Sequence, residues 1–144
     1  MPHRAKRIRT RYADLSDVST TAPADGQSPR WDAASGTYIP TSSKMVANVQ
    51  ADDYTLVLSD AGKRIEMGKA TGQNLTVPTN AVAAFPIGTI IDAYQEGAGQ
   101  LTIVGAGGVT LHSAGGQVAA TAQYSLIRLY KQSANVWCLS GDLA

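Results

Sequence analysis

Few residues in this chain have the types and spacing needed for chemistry. His112 ends an apparent strand and His3 lies in the N-terminal tail, and neither has a second histidine or a cysteine at metal-ligand spacing. Asp52 and Asp53 could form an acidic or metal-binding pair, but acidic residues directly before a strand usually form turns. The run Gly105–Gly108 lacks the helix and the lysine of a phosphate-binding loop. We therefore predict no catalytic residue, metal or cofactor, and no enzymatic activity.

The single cysteine limits the sulfur chemistry that is available. Cys138 alone cannot form an intrachain disulfide or a site of several thiolates. It alternates with Trp137 and Leu139 in an apparent strand, so we expect a buried, unreactive thiol.

Positive charge is concentrated at the N-terminus. The first eleven residues contain no acid and five bases, Arg4, Lys6, Arg7, Arg9 and Arg11. The whole chain has a net charge of +1, whereas residues 12–144 carry seven basic against eleven acidic residues, a net −4. Such a tail favours an acidic partner. An acidic patch on another protein, plain solvation and nucleic acid all stay open, but without a folded reading module we expect no specific nucleic-acid recognition.

Residues 1–44 form a basic tail and an extended docking arm in this interpretation. From residue 14 to 40 the chain is rich in Asp, Ser, Thr, Gly and Pro and has no hydrophobic period that could build a core. Leu15, Val18, Trp31 and Tyr38 are the expected anchors, because isolated apolar side chains on an extended segment fill pockets on a partner surface. The alternative is that Trp31 and Tyr38 fold back onto the rest of the chain.

Residues 45–144 are predicted to form one all-β domain. Short runs of β-branched and aromatic residues recur about every ten positions between turn residues, which predicts an antiparallel β-sandwich or jelly-roll-like domain of about eight strands with little or no helix. The predicted strands include a hairpin of 54–58 with 63–67, a strand at 73–77, a central strand at 88–95, and a final hairpin of 125–131 with 135–140. The glycine-rich joints are expected to be tight reversals with positive φ.

The composition also sets limits on assembly and location. About 100 residues are foldable, and alanine and 14 glycines dilute the large apolar side chains, so we expect oligomerisation to add buried area. No signal peptide or membrane-spanning run is apparent. We expect a soluble protein with no membrane partner, made in the cytoplasm.

Three runs in the arm resemble a segment of tailed-bacteriophage structural proteins. They are L-S-D-V-x-T at 15–20, P-x-D-G-Q at 23–27 and W-D-x-x-x-G-x-Y-x-P at 31–40. Ser28-Pro29 replaces the usual small or apolar residue after Gln27. Residues 45–144 are similar, more loosely, to small β domains at the ends of phage head fibres, decoration proteins and tail fibres.

The resemblance implies a virion protein. It implies a homotrimer docked on the major capsid protein or another virion protein, and the short chain without a shaft favours a head decoration, cement or head-fibre protein. The alternative is a tail fibre or tail-tip protein that binds a host-surface receptor, which exposed Tyr94, Tyr124 or Tyr130 would support. A different class is a nucleic-acid-binding protein that uses the basic tail.

Overall fold

The computed structural model describes residues 27–42 and 44–144 of the chain. They divide into two compact units between Lys44 and Met45, and each unit is described by itself. Of the described structure, 49% is strand and 5% is helix, so the protein is all-β, as the sequence predicts.

The first unit contains a β-hairpin. Strand β1 (Gln27–Asp32) pairs antiparallel with β2 (Thr37–Ser42). The Asp32 carboxylate accepts hydrogen bonds from the backbone N–H groups of Ala34 and Ser35, and Gly36 takes the positive φ of +64° that closes the loop. The prediction of an extended arm is therefore wrong for residues 27–42. The segment has no hydrophobic period that could build a core, but its turn residues Asp32 and Gly36 define a hairpin.

The second unit contains nine strands in two sheets, against the predicted number of about eight. The strands are β3 (Ala47–Gln50), β4 (Tyr54–Thr55), β5 (Arg64–Met67), β6 (Gln73–Val77), β7 (Ile90–Gln95), β8 (Leu101–Gly105), β9 (Thr110–His112), β10 (Leu126–Ser133) and β11 (Val136–Gly141). The larger sheet has the order β3-β5-β7-β10-β11-β9, and the smaller sheet has the order β4-β6-β8. Strand β7 lies in the interior of the larger sheet, as predicted.

Strand direction differs from the prediction. The chain alternates between the sheets from β3 to β8, so neighbouring strands within each sheet run parallel: Ala47 pairs with Arg64, and Arg64 pairs with Asp92. The predicted hairpin of 54–58 with 63–67 is wrong, because β4 and β5 belong to different sheets. Among the described strand–strand pairs of this unit, those of β10 with β7 and with β11 are antiparallel, and its hairpin with β11 is as predicted.

One hydrophobic core receives side chains from both sheets. Ile65, Ile91 and Leu129 point inward from the larger sheet, and Leu75 and Ile103 from the smaller one. Ile65, Leu129, Leu75 and Ile103 each alternate with exposed or half-buried neighbours in their strands, as expected for a sheet with one buried face. Ile91 differs, because its neighbour Asp92 is buried as well.

The glycine-rich joints need glycine for different physical reasons. Gly108 has the expected positive φ, +88°. Gly97 and Gly99 do not have positive φ; they are required because the chain passes close to another backbone segment. A Cβ atom on Gly99 would lie 1.7 Å from the carbonyl oxygen of Thr71, and one on Gly97 would lie 2.2 Å from that of Lys69.

Replacing Gly99 by Ala should therefore lower the free energy of unfolding by about 3 kcal/mol, because a backbone oxygen cannot move aside as a side chain can. Gly107→Ala is the matched control, since a Cβ atom there meets nothing within 4 Å. Urea unfolding of both variants checks this. Equal stability of G99A and G107A would show that the two backbone segments are not close.

Candidate functional site

Only two of the nine predicted docking residues lie in the described part of the chain. Trp31 and Tyr38 are on the hairpin. The other seven lie outside the described residues and are Arg4, Lys6, Arg7, Arg9, Arg11, Leu15 and Val18.

Trp31 and Tyr38 form a cross-strand pair on the hairpin. They stand opposite each other in the register, and their ring centroids are 5.2 Å apart in an edge-to-face arrangement, a geometry that contributes beyond simple burial. Trp31 is nevertheless 51% exposed and Tyr38 is 40% exposed. The pair is therefore held by the hairpin and still open to a partner.

The same face of the hairpin carries two prolines. Pro29 pairs with Pro40 two positions from Trp31 and Tyr38, and side chains two apart along a strand share one face. Arg30 and Asp32 lie on the opposite face. We call the four residues Pro29, Trp31, Tyr38 and Pro40 the hairpin apolar face. It presents ring surfaces without a charged side chain, which is the chemistry of a docking anchor.

The acidic pair Asp52–Asp53 has a structural partner. Lys69 Nζ lies 3.3 Å from Asp52 Oδ1 and 3.4 Å from Asp53 Oδ1. The backbone N–H of Asn74 also donates to Asp53, and this hydrogen bond, with Lys69, holds the pKa of Asp53 below its usual value. The pair connects the segment before β4 to the start of β6.

The expectation of a buried Cys138 is wrong. Trp137 and Leu139 are the buried residues of β11, and Cys138 lies between them on the other face, half-buried. Its Sγ–H is 3.3 Å from Gln132 Oε1. Successive side chains of a strand point to opposite faces. Because Trp137 and Leu139 face the core, Cys138 between them faces outward. His112 is exposed at the end of β9.

The surface of the larger sheet that faces away from the core carries an ion-paired centre. We call this surface the outer face. Arg128 makes a bidentate pair with Asp92, with N–O distances of 2.7 and 2.8 Å, and Asp92 is 4% exposed beneath it. Arg64 and Glu66 hydrogen bond to each other on β5. Two arginines and two carboxylates leave these four groups without net charge.

Aromatic and apolar side chains flank that centre. Tyr94 of β7 is opposite Leu126 of β10, and Tyr130 is opposite Ile90. Tyr124, just before β10, stacks on Tyr94 with ring centroids 6.4 Å apart and planes at 27°. The three tyrosines singled out in the sequence thus fall on or beside one face, with Tyr94 and Tyr124 in contact.

Lys131 is a buried cation that the sequence interpretation missed. It follows Ile127 and Leu129 in the inward phase of β10 and is 1% exposed. Its Nζ donates to Asn80 Oδ1 at 2.6 Å and to the Phe85 carbonyl oxygen at 2.7 Å. Burial lowers the pKa of Lys131. These hydrogen bonds link the connection between β6 and β7 to the core. The sequence did contain a sign of the burial of Lys131, because the residue lies two positions after Leu129 and therefore on the same face of β10.

The described residues show neither a metal-ligand set nor a ligand pocket. No three His, Cys, Asp or Glu side chains come together there as a metal-ligand set, and the described residues form no pocket of ligand size. In residues 27–42 and 44–144 there is no helix long and apolar enough to cross a membrane.

Comparison with known proteins found no matching protein family, no matching curated protein and no matching solved structure.

Lys131→Met tests the buried cation. At pH 7 it should lower the free energy of unfolding by about 1–3 kcal/mol, because Asn80 and Phe85 lose a charged donor. The pKa of Lys131 is lower in the folded state than its usual 10.5. At pH values between the folded and the unfolded pKa, the unfolded state binds more protons than the folded state. The free energy of unfolding of the wild type therefore rises with pH in that range.

The difference in the free energy of unfolding between wild type and K131M should therefore increase from pH 7 towards 10.5, as measured by urea unfolding at several pH values. Tyr54, whose pKa is raised in the folded state, lowers the free energy of unfolding as pH rises. Both proteins contain Tyr54, so its effect cancels in the difference between them. A gap that stays constant or narrows with pH would contradict the assignment.

Proposed function

We propose that this chain is a non-enzymatic virion structural protein of a tailed bacteriophage. Its N-terminal region docks on the major capsid protein or another virion protein, and its β domain projects from the particle. The proposal includes assembly as a homotrimer in the host cytoplasm and a final location on the virion.

The observation that carries the proposal is the hairpin apolar face. It is a small ring surface without charge on a two-stranded hairpin, a structure that is marginal in isolation and gains stability from a partner. Trp31, Gly36, Tyr38 and Pro40 are also residues of the run that resembles phage structural proteins. Three of the four residues of the hairpin apolar face, Trp31, Tyr38 and Pro40, thus also carry the resemblance, whereas Pro29 does not.

The β domain supports the second half of the proposal. It has its own core from two sheets, which is what an element that projects into solvent requires. We favour a head decoration, cement or head-fibre protein over a tail fibre, because residues 45–144 form one compact β domain. A tail fibre or tail-tip protein remains the alternative, and the exposed Tyr124 and Tyr130 are the observation that favours it.

Loss of the aromatic pair should detach the protein from particles. In virions purified from a phage that encodes the double variant W31A/Y38A, we expect at least a tenfold decrease in the incorporated chain, because both anchors are removed. Arg30→Ala, on the opposite face of the hairpin, is the control and should be incorporated normally. Quantitative immunoblotting of gradient-purified particles measures the three proteins. Absence of the wild-type chain from purified virions would refute the virion role.

Deletion of residues 1–11 separates docking from nucleic-acid binding. If the five bases bind phosphates, retention on a DNA column should fall steeply with salt and disappear on deletion. We expect weak DNA retention at low salt only, and the same salt dependence on heparin. DNA binding that persists above about 200 mM salt and is lost on deletion would favour the nucleic-acid-binding alternative.

A further inference from the structure

Tyr124 has a backbone conformation that favours glycine. It is the third residue of a turn in which the N–H of Ser125 donates to the carbonyl oxygen of Ala122. Its φ is +72°, and it is the only residue other than glycine with positive φ in the described chain. Turns of this kind take glycine or asparagine at the third position, and a bulky side chain there is strained.

The turn is fixed to the end of β7. The N–H of Tyr124 donates to the carbonyl oxygen of Gln95 at 2.7 Å, and the N–H of Gln95 donates to that of Ser125 at 3.0 Å. The side chain of Gln123 donates to the carbonyl oxygen of Glu96. These bonds hold the strained conformation in place, so the Tyr124 ring has a fixed position.

That position leaves a ring face open. Tyr124 stacks on Tyr94 and is still 65% exposed. The Arg64 guanidinium lies 5.8 Å from the centroid of the Tyr94 ring, and Glu66 accepts hydrogen bonds from Arg64. The open ring face is thus that of Tyr124, while Arg64, an exposed donor, lies over the Tyr94 ring and is bonded to the half-buried acceptor Glu66.

We propose that the stacked pair of Tyr94 and Tyr124, together with the Arg64–Glu66 pair that adjoins Tyr94, is a carbohydrate-binding site. One face of a sugar ring presents C–H bonds that match the negative face of a tyrosine ring, and the hydroxyl groups at its rim match the Arg64–Glu66 pair. A shallow surface suits this ligand better than a small apolar molecule, which binds in a pocket. The inference rests on the proposed virion role only for the source of the sugar, a bacterial surface polysaccharide.

The test uses the full-length chain on an array of immobilised bacterial lipopolysaccharides, capsular polysaccharides and peptidoglycan fragments. We expect the wild type to bind at least one of them and Tyr124→Gly to bind it at least about tenfold more weakly. Tyr124→Phe, which keeps the ring, should bind within about threefold of the wild type. Ile90→Ala, which truncates another exposed side chain of the same outer face, is the control and should bind normally.

Thermal unfolding distinguishes loss of the ring from loss of the fold, since glycine relieves the strain and Y124G should unfold no earlier than the wild type. No binding to any polysaccharide, or unchanged binding by Y124G, would overturn the proposal. A change in the sedimentation coefficient of Y124G would also overturn it, by assigning the tyrosines to an interface between copies. Incorporation of Y124G into virions reports on the proposed function separately, because the hairpin apolar face is unaltered.

Discussion

Parallel pairing within both sheets determines how the chain of the β domain must run. A parallel neighbour cannot be reached by a tight turn, so between β3 and β8 the chain leaves one sheet, passes through the other and returns. Each crossing brings backbone segments together, and Gly97 and Gly99 accept that proximity because they have no side chain. Two buried glutamines bond the same crossings: Gln73 binds the backbone of Met67, and Gln95 accepts the N–H of Leu101. The strands that these crossings connect contribute side chains to one shared core.

The sequence allowed the strands to be predicted but not their directions. Alternation of apolar and polar residues placed Ile65, Met67 and Leu101 correctly on the inside. The same period of two holds for parallel and antiparallel strands, so a turn-like segment between two runs, such as Asp60–Gly62, was interpreted as a hairpin. Leu58 shows the cost of that interpretation. It is the last residue of the predicted strand 54–58 but lies exposed in a 3-10 turn, Leu58–Asp60.

Interaction residues were only partly predictable, for a related reason. Trp31 and Tyr38 stood out in sequence because aromatic residues are rare in a polar segment, but their pairing across a hairpin depends on Asp32 and Gly36, which are common in any loop. The stack of Tyr124 on Tyr94 joins residues that are thirty positions apart and depends on a φ angle that sequence does not reveal. Residue type could suggest these side chains, whereas their partners required coordinates.

The energetics of Tyr124 argue that its ring is present for a reason other than folding. Positive φ at a bulky residue costs of the order of 1–3 kcal/mol, while an aromatic pair contributes about 0.5–1.5 kcal/mol beyond the area that it buries. Tyr124 buries little area, because most of it remains exposed. Glycine at this position would avoid the strain and lose only the stack, so stability alone gives no preference for tyrosine. Residues that contradict their local backbone without a gain in stability concentrate at functional sites, and in the β domain this one displays a flat ring to solvent.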